Sequence, residues 1–119
     1  GWTTALLAHI VGPEGIVTGI EAIPDLVTLG QQNLRKYNFP HATILPASPR
    51  LDLPAAAPFN RILVSATTEK LPQELVDQLT SDGILVIPVG TDLLRVRKQA
   101  DGAIHTELLP GFLFVPLVK

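Results

Sequence analysis

One short stretch constrains the fold of this 119-residue chain more than any other. Residues 15–21 form a β-branched run that ends abruptly on the carboxylate of Glu21. A helix-forming segment, residues 2–11, precedes the run, and an amphipathic segment, residues 24–37, follows it. Nucleotide-binding α/β sheets place an acidic side chain at the carboxyl end of such a strand, where it holds two ribose hydroxyls. Glu21 is therefore the first candidate binding residue.

The rest of the chain continues the alternation of strands and helices. Further strands are predicted at residues 41–47, 59–66 and 84–89. A third helix starts at Pro72, repeats leucine every four residues up to Leu79, and is ended by residues 81–83. After Gly90 three strand-like runs follow, at residues 93–99, 103–109 and 112–118, with a hairpin turn at Asp101 and Gly102. The pattern predicts a doubly wound, mostly parallel α/β sheet with an antiparallel C-terminal hairpin.

Composition narrows the class of protein. Hydrophobic residues make up 46% of the chain and charged residues 17%, so a sheet covered on both faces, or a partner, is expected to hide apolar surface. The net charge of −2 and the scattered basic residues argue against nucleic-acid binding, and no apolar run is long enough to span a membrane. Cysteine is absent, and the three histidines share no ligand spacing, so we expect a cytoplasmic protein without a metal site.

A set of ordered motifs resembles the protein-L-isoaspartate O-methyltransferase family. The matching pieces are Gly-Trp-Thr-Thr-Ala (1–5), Val-Gly-Pro-Glu-Gly-x-Val-x-Gly-Ile-Glu (11–21), Leu-Val (26–27), Asn-Leu (33–34), Ala-Pro-Phe-Asn-Arg-Ile-Leu-Val (57–64), Pro-x-x-Leu-x-x-Gln-Leu (72–79), Gly-x-Leu-x-x-Pro-Val-Gly (83–90) and Phe-Val-Pro-Leu (114–117). They run in family order across nearly the whole chain. The resemblance implies a Rossmann-like class I methyltransferase fold, with residues 1–119 as one S-adenosyl-L-methionine-binding domain.

The resemblance also implies an activity. Enzymes of this family transfer a methyl group from S-adenosyl-L-methionine to the free α-carboxylate of L-isoaspartyl residues, a protein-repair reaction. The substrate carboxylate is already ionised at neutral pH and the leaving thioether is neutral, so no general base is needed. We therefore expect no catalytic acid or base, and catalysis that depends on alignment and on exclusion of water. Ser65 and Ala66, at the end of a predicted strand, are expected to border the methyl-transfer site, against the alternative of small-residue packing.

The resemblance assigns the cofactor-binding residues by position. Glu21 is expected to bind the ribose diol, and Ser48 to face the adenine amino group, although a loop serine is more often a turn former. Trp2 covers the cofactor or packs in the core, and Gly1 lets the backbone approach the cofactor's methionine part or is an ordinary flexible terminus. The complete expected set is Gly1, Trp2, Thr3, Glu21, Ala22, Ala47 and Ser48.

The sequence departs from the family pattern in several places. Gly1 matches the last glycine of the family's Gly-x-Gly-x-Gly loop, so the first strand and the N-terminal region are expected to be missing. Ala47-Ser48-Pro49 replaces Gly-Asp-Gly, and Asn60 replaces an aspartate. The loop after Gly90 is short and lacks an expected glutamine. Because the missing strand is central in the family, we expect a homodimer or a partner chain to complete the sheet.

Three functions remain open on the sequence alone. The first is the isoaspartyl methyltransferase, and the second is a module that binds S-adenosyl-L-methionine or S-adenosyl-L-homocysteine without methyl transfer. The third is a fragment that folds with a partner chain. The basic residues Arg95, Arg97 and Lys98 either attract an acidic peptide or guard an edge strand with charge.

Overall fold

The structure is a computed structural model that describes residues 1–118. The chain divides into two compact units, Gly1–Arg50 and Leu51–Val118. The predicted α/β class is confirmed, since helices alternate with parallel strands and an antiparallel hairpin follows. The strands lie in two sheets, one within each unit. No helix in the described part of the chain is long and apolar enough to cross a membrane.

The first unit contains two helices and a two-stranded parallel sheet. Its elements, in order, are α1 (Trp2–Val11), β1 (Val17–Glu21), α2 (Pro24–Leu34) and β2 (Ala42–Pro46). All four elements were predicted, although α2 ends three residues earlier than expected. Both helices contribute to a core built largely from small side chains: Ala5, Ala8, Val27, Leu34, Ala42 and Ile44.

Close packing of α2 on the sheet depends on Gly30. This residue is buried, and a Cβ atom added there would lie 3.1 Å from Ile44 Cδ1. The missing side chain at Gly30 therefore allows α2 to lie close to β2. Gln31, the next residue, donates a hydrogen bond from Nε2 to the carbonyl oxygen of Ile44 at 2.8 Å. The helix is thereby fixed to β2 by both packing and a polar contact.

The second unit contains a four-stranded mixed sheet and one short helix. Its elements are β3 (Phe59–Leu63), α3 (Gln73–Asp77), β4 (Leu79–Val89), β5 (Asp92–Lys98) and β6 (Ile104–Pro110). The strand order is β3-β4-β5-β6, with β3 parallel to β4 and the other neighbours antiparallel. Its core comprises Leu51, Leu75, Val76, Leu79, Leu85, Ile87 and Val96.

Side-chain contacts explain why α3 is shorter than predicted. Leu79 was expected in the helix but begins β4, where it pairs with Phe59. The ammonium group of Lys98, on β5, donates to the carbonyl oxygens of Val76, Asp77 and Leu79 at 3.1–3.2 Å. These contacts satisfy carbonyl groups left unpaired at a helix end. Residues 81–83, expected to form a terminating loop, lie inside β4 instead.

The C-terminal strand prediction was wrong. Residues 112–118 form no strand and make one isolated bridge, between Pro116 and Thr67. The hydrogen bonds of this bridge run from Thr67 N–H to the carbonyl oxygen of Val115 and from Leu117 N–H to that of Thr67, so the pairing is limited to one position. The β5–β6 hairpin was predicted correctly, and Gly102 in its turn has a φ of 85°.

Candidate functional site

The carboxyl ends of β1 and β2 bring four of the predicted binding residues together. The two strands are parallel, with Glu21 opposite Pro46. Ala22 and Ala47 therefore leave the sheet at the same edge, and Ser48 follows directly. The N–H group of Ala47 donates to the carbonyl oxygen of Glu21 at 2.8 Å, which holds the two strand ends together. This edge is where open α/β sheets bind their ligands.

Glu21 is oriented by the chain that follows it. Its Oε1 atom accepts a hydrogen bond from the backbone N–H of Ile23 at 3.0 Å, and the residue is half-buried. Within residues 1–118 no other donor contacts this carboxylate. An ionised carboxylate has lone pairs for about four hydrogen bonds. Glu21 is therefore fixed in position and still able to accept the two hydroxyl groups of a ribose.

Helix α1 packs on the sheet with Thr4 beside the middle of β1. A Cβ atom at Gly19, the central residue of that strand, would lie 2.6 Å from Thr4 Oγ1. Toward the end of the helix, His41 Nε2 lies 2.9 Å from the carbonyl oxygen of Ala8, just before β2 begins. Gly1 lies against Gly30 and Asn33 of α2, and Trp2 borders a cavity shared with Lys36 and Tyr37. These contacts are with α2 and the residues that follow it, and the role of Gly1, Trp2 and Thr3 at the cofactor site stays a prediction.

Gly1 lies where only a glycine fits. A Cβ atom at this position would lie 2.6 Å from the carbonyl oxygen of Gly30 and 3.3 Å from Asn33 Cβ. Gly1 is the N-cap of α1 and makes no side-chain capping bond, which leaves the N–H groups of the first turn available. Trp2 is 71% exposed and borders a cavity of about 210 Å³ beside Gly1. The alternative that Trp2 packs in the core is wrong.

Ser48 takes part in a local turn. Its hydroxyl group donates to the carbonyl oxygen of Arg50, and the residue is half-buried. This is the turn-forming role that the sequence offered as the alternative. The contact of Ser48 with an adenine amino group stays a prediction.

Ser65 and Ala66 lie in the second unit, beyond the end of β3. The strand stops at Leu63, earlier than predicted, and the following residues form irregular chain. Ser65 is exposed and Ala66 is half-buried. Their role at a methyl-transfer site stays a prediction.

Thr68 is a polar residue that the sequence did not single out by itself. Its Oγ1 atom is buried and has no hydrogen-bond partner within residues 1–118. The backbone of this segment is fixed, since Thr68 N–H donates to the carbonyl oxygen of Pro88 at 3.2 Å and Gly90 N–H donates to that of Thr68 at 2.9 Å. Only the tertiary structure could reveal the buried hydroxyl, because the small polar run 65–68 gives no indication of which side chain turns inward.

Two basic side chains of β5 form ion pairs within the second unit. Arg95 forms an ion pair with Glu107 at 3.2 Å, and Arg97 forms one with Asp82 at 2.9 Å. Strand β5 lies between β4 and β6. The interpretation of this segment as an edge strand guarded by charge is therefore wrong.

Comparisons with known proteins identify the family. The family model described as protein-L-isoaspartate(D-aspartate) O-methyltransferase matches residues 1–119. The chain belongs to this family. A protein-L-isoaspartate O-methyltransferase of Methanococcoides burtonii is 36% identical over 99% of the chain, and one of Pyrococcus horikoshii is 37% identical over 99%.

Solved structures agree with this assignment. A Plasmodium falciparum protein described as a protein-L-isoaspartate O-methyltransferase, in complex with S-adenosyl-L-homocysteine, has a TM-score of 0.75 and 25% identity over 87% of the chain. A second structure of that name has a TM-score of 0.90 over the whole chain at 16% identity, which supports the fold alone. The predicted Rossmann-like methyltransferase fold is confirmed.

The relatives are longer than this chain. The chain covers 60% of the Methanococcoides burtonii protein and 55% of the Pyrococcus horikoshii protein. It covers 52% and 39% of the two solved structures. The chain therefore spans about half the length of the family members that it matches. That residues 1–119 form one cofactor-binding domain stays a prediction.

Proposed function

We propose that this chain takes part in S-adenosyl-L-methionine-dependent methyl transfer to the free α-carboxylate of L-isoaspartyl residues in damaged proteins or peptides. The main support for this proposal is that residues of the family's cofactor motif lie together at one edge of the sheet in the first unit. Glu21, Ala22, Ala47 and Ser48 lie at the ends of the two parallel strands, which are joined by the hydrogen bond from Ala47 N–H to the carbonyl oxygen of Glu21. Membership of the family supplies the reaction class.

The chemistry of these residues fits S-adenosyl-L-methionine. When bound, this cofactor supplies an electrophilic methyl group on a sulfonium centre. Glu21 retains acceptor capacity for a ribose diol, and the uncapped first turn of α1 offers N–H groups to a carboxylate. Gly1 has no side chain, and any side chain at this position would collide with α2. These groups support the proposal that the first unit holds the ribose and the carboxylate of the cofactor.

Within this proposal the protein aligns and shields the reactants. An isoaspartyl carboxylate is ionised at neutral pH and is itself the nucleophile, so no residue has to remove a proton. Holding the two reactants in the right geometry lowers the activation free energy, by about 7–11 kcal/mol in well-aligned systems.

Calorimetry with S-adenosyl-L-homocysteine tests the cofactor site. We expect Glu21→Ala to weaken binding by about 1–3 kcal/mol, because charge-assisted hydrogen bonds are lost. Glu14→Ala is the matched control, since Glu14 is an exposed glutamate of the same unit, and its binding is expected to be unchanged. Equal loss in both variants, or no loss in Glu21→Ala, would reject the assignment of Glu21.

Methyl transfer to an isoaspartyl peptide separates the enzyme from the binding module. Transfer that exceeds the background measured with the matching aspartyl peptide supports the enzyme. Cofactor binding without transfer would instead identify a module that retains the site but not the activity. Absence of cofactor binding would contradict both functions.

We also propose that a second copy of the chain covers the free edge of β1. In the ladder with β2, Val17 and Glu21 direct their backbone groups toward β2, so Thr18 and Ile20 direct theirs toward the opposite edge. No strand pairs with that edge within residues 1–118. Ile16 beside it is 85% exposed. Unpaired strand edges with apolar neighbours are sites of chain association, and a cytoplasmic homodimer is the proposed form.

Sedimentation measures the association directly. A dimer whose dissociation constant rises in Ile20→Pro supports edge pairing, because proline removes an N–H group directed toward the free edge. A chain that remains monomeric at all accessible concentrations would contradict the dimer. Pairing with a different polypeptide would then be the remaining way to cover the edge.

A further inference from the structure

The chain contains two Asp-Gly pairs, Asp82-Gly83 and Asp101-Gly102. In such a pair the backbone nitrogen of glycine can attack Cγ of the aspartate, because glycine has no Cβ to obstruct the approach. A new N–Cγ bond forms, one carboxyl oxygen leaves as water, and a succinimide results. Addition of water at the α-carbonyl then breaks its bond to nitrogen. The product is an L-isoaspartyl linkage with a free α-carboxylate, formed without any co-reactant but water.

Ring closure requires the glycine nitrogen and the aspartate side chain to move toward each other. The backbone must leave its folded conformation for this, so the rate depends on the free energy of local opening. Sequence alone gives both pairs the same chemistry. Any difference between them must come from the structure around each pair.

The pair Asp101-Gly102 lies at the tip of the β5–β6 hairpin. Residues 99–103 are all exposed, and a Cβ atom at Gly102 would contact nothing within 4 Å. Gly102 N–H donates to the carbonyl oxygen of Gln99 at 3.0 Å, and Asp101 Oδ1 accepts from Ala103 N–H at 3.0 Å. These are exposed bonds within one turn. Opening them disturbs no buried side chain, and hairpin tips are at the low end of local stability.

The pair Asp82-Gly83 lies within β4. Gly83 is buried, and a Cβ atom there would lie 2.8 Å from the carbonyl oxygen of Thr80. The Asp82 carboxylate accepts a hydrogen bond from Arg97 Nη2 at 2.9 Å. Ring closure at this pair would break the ion pair and displace a buried segment of a strand. The side chains of this ion pair are 52% and 70% exposed, so it contributes little, and the cost of opening comes mainly from displacing the buried Gly83.

We propose that Asp101 is the residue at which this chain's own backbone rearranges to L-isoaspartate, whereas Asp82 is protected by its surroundings. The hairpin tip is thus a site of spontaneous covalent modification. The inference depends on exposure and hydrogen bonding in the second unit and does not rest on the proposed activity.

Aging of the intact chain at neutral pH and elevated temperature tests the proposal. Peptide mapping with electron-transfer fragmentation distinguishes the isoaspartyl from the aspartyl linkage at each pair. We expect isoaspartate to accumulate at least about tenfold faster at Asp101 than at Asp82, which corresponds to about 1.4 kcal/mol in opening free energy. Equal rates, or a faster rate at Asp82, would overturn the proposal.

Two further measurements separate structure from sequence. In denaturant the two rates are expected to converge, since both pairs then have the same unfolded surroundings; a difference that persists would refute the structural explanation.

Asp101→Asn leads to the same succinimide by loss of ammonia, and its neutral amide does not have to be protonated first, unlike the carboxylate of aspartate, which is ionised at neutral pH. Its product is expected to form faster than that of the parent chain, with the Asp82 rate unchanged. A variant that stays intact at this position would show that the turn forbids ring closure.

Discussion

The two units bury their hydrophobic side chains to different extents. In the second unit Leu85, Ile87 and Val96 are completely buried around one sheet. In the first unit half of the core residues are alanines, while Trp2 and Ile16 are 71% and 85% exposed. Burial of apolar side chains is the main favourable contribution to folding. We therefore expect the core of the second unit to contribute most of the free energy that stabilises that unit. The first unit leaves apolar and polar surface available for ligands and partners.

The largest expected effect is on the core of the second unit. Ile87→Ala removes a completely buried side chain and is expected to lower the free energy of unfolding by about 2–5 kcal/mol, through lost burial and a residual cavity. Chemical denaturation measures the change. Ile16→Ala is the matched control in the first unit, with an expected change within about 0.5 kcal/mol. A similar loss in the free energy of unfolding for both variants would contradict the difference proposed between the two units.

The second largest effect is expected at Lys98. Lys98→Met keeps the aliphatic chain but leaves three backbone carbonyl groups without their charged donor, a loss of about 1.5–3 kcal/mol. Lys70→Met provides the control, since Lys70 is exposed. Hydrogen exchange is expected to rise around α3 and the start of β4. If the two lysine variants were equally stable, Lys98 would not hold the end of α3.

Packing in the first unit gives a smaller effect. Gly30→Val places a branched side chain against Ile44 and the backbone of Gly1, and overpacking of this kind costs about 1–3 kcal/mol. Gln32→Val is the control, since it introduces valine on the exposed side of α2. There we expect a loss of stability of at most about 0.7 kcal/mol, from helix propensity alone. Thermal unfolding compares the two. Equal melting temperatures would indicate that α2 does not pack closely on the sheet.

The smallest effect on stability is expected at the most exposed apolar residues. Ile16→Lys and Leu113→Lys alter residues that are 85% and 91% exposed, one in each unit, and each is expected to change unfolding by less than about 0.5 kcal/mol. Only Ile16→Lys is expected to weaken self-association, because Ile16 lies beside the free edge of β1. Sedimentation of both variants checks this difference. Equal dissociation constants would place the dimer contact elsewhere.

Much of the fold was predictable because local signals agreed with tertiary structure. The glycine and proline breaks around α1, the β-branched run ending at Glu21 and the Asp101-Gly102 turn all gave correct elements. Predictions failed where distant contacts decided the outcome. Lys98 contacts the end of α3 from a strand 19–22 residues away, and residues 112–118 make one isolated bridge, with Thr67, where a strand was expected.

The sequence by itself determined the family, the alternation of helices and strands, and the position of Glu21 at a strand end. These properties follow from residue order and periodicity, which a linear pattern contains. The tertiary structure decided which groups meet: the strand ends joined between Glu21 and Ala47, Gly1 against Gly30 of α2, and the free edge of β1. It also distinguished Asp82 from Asp101, since burial and hydrogen bonding depend on neighbours that are distant in the chain.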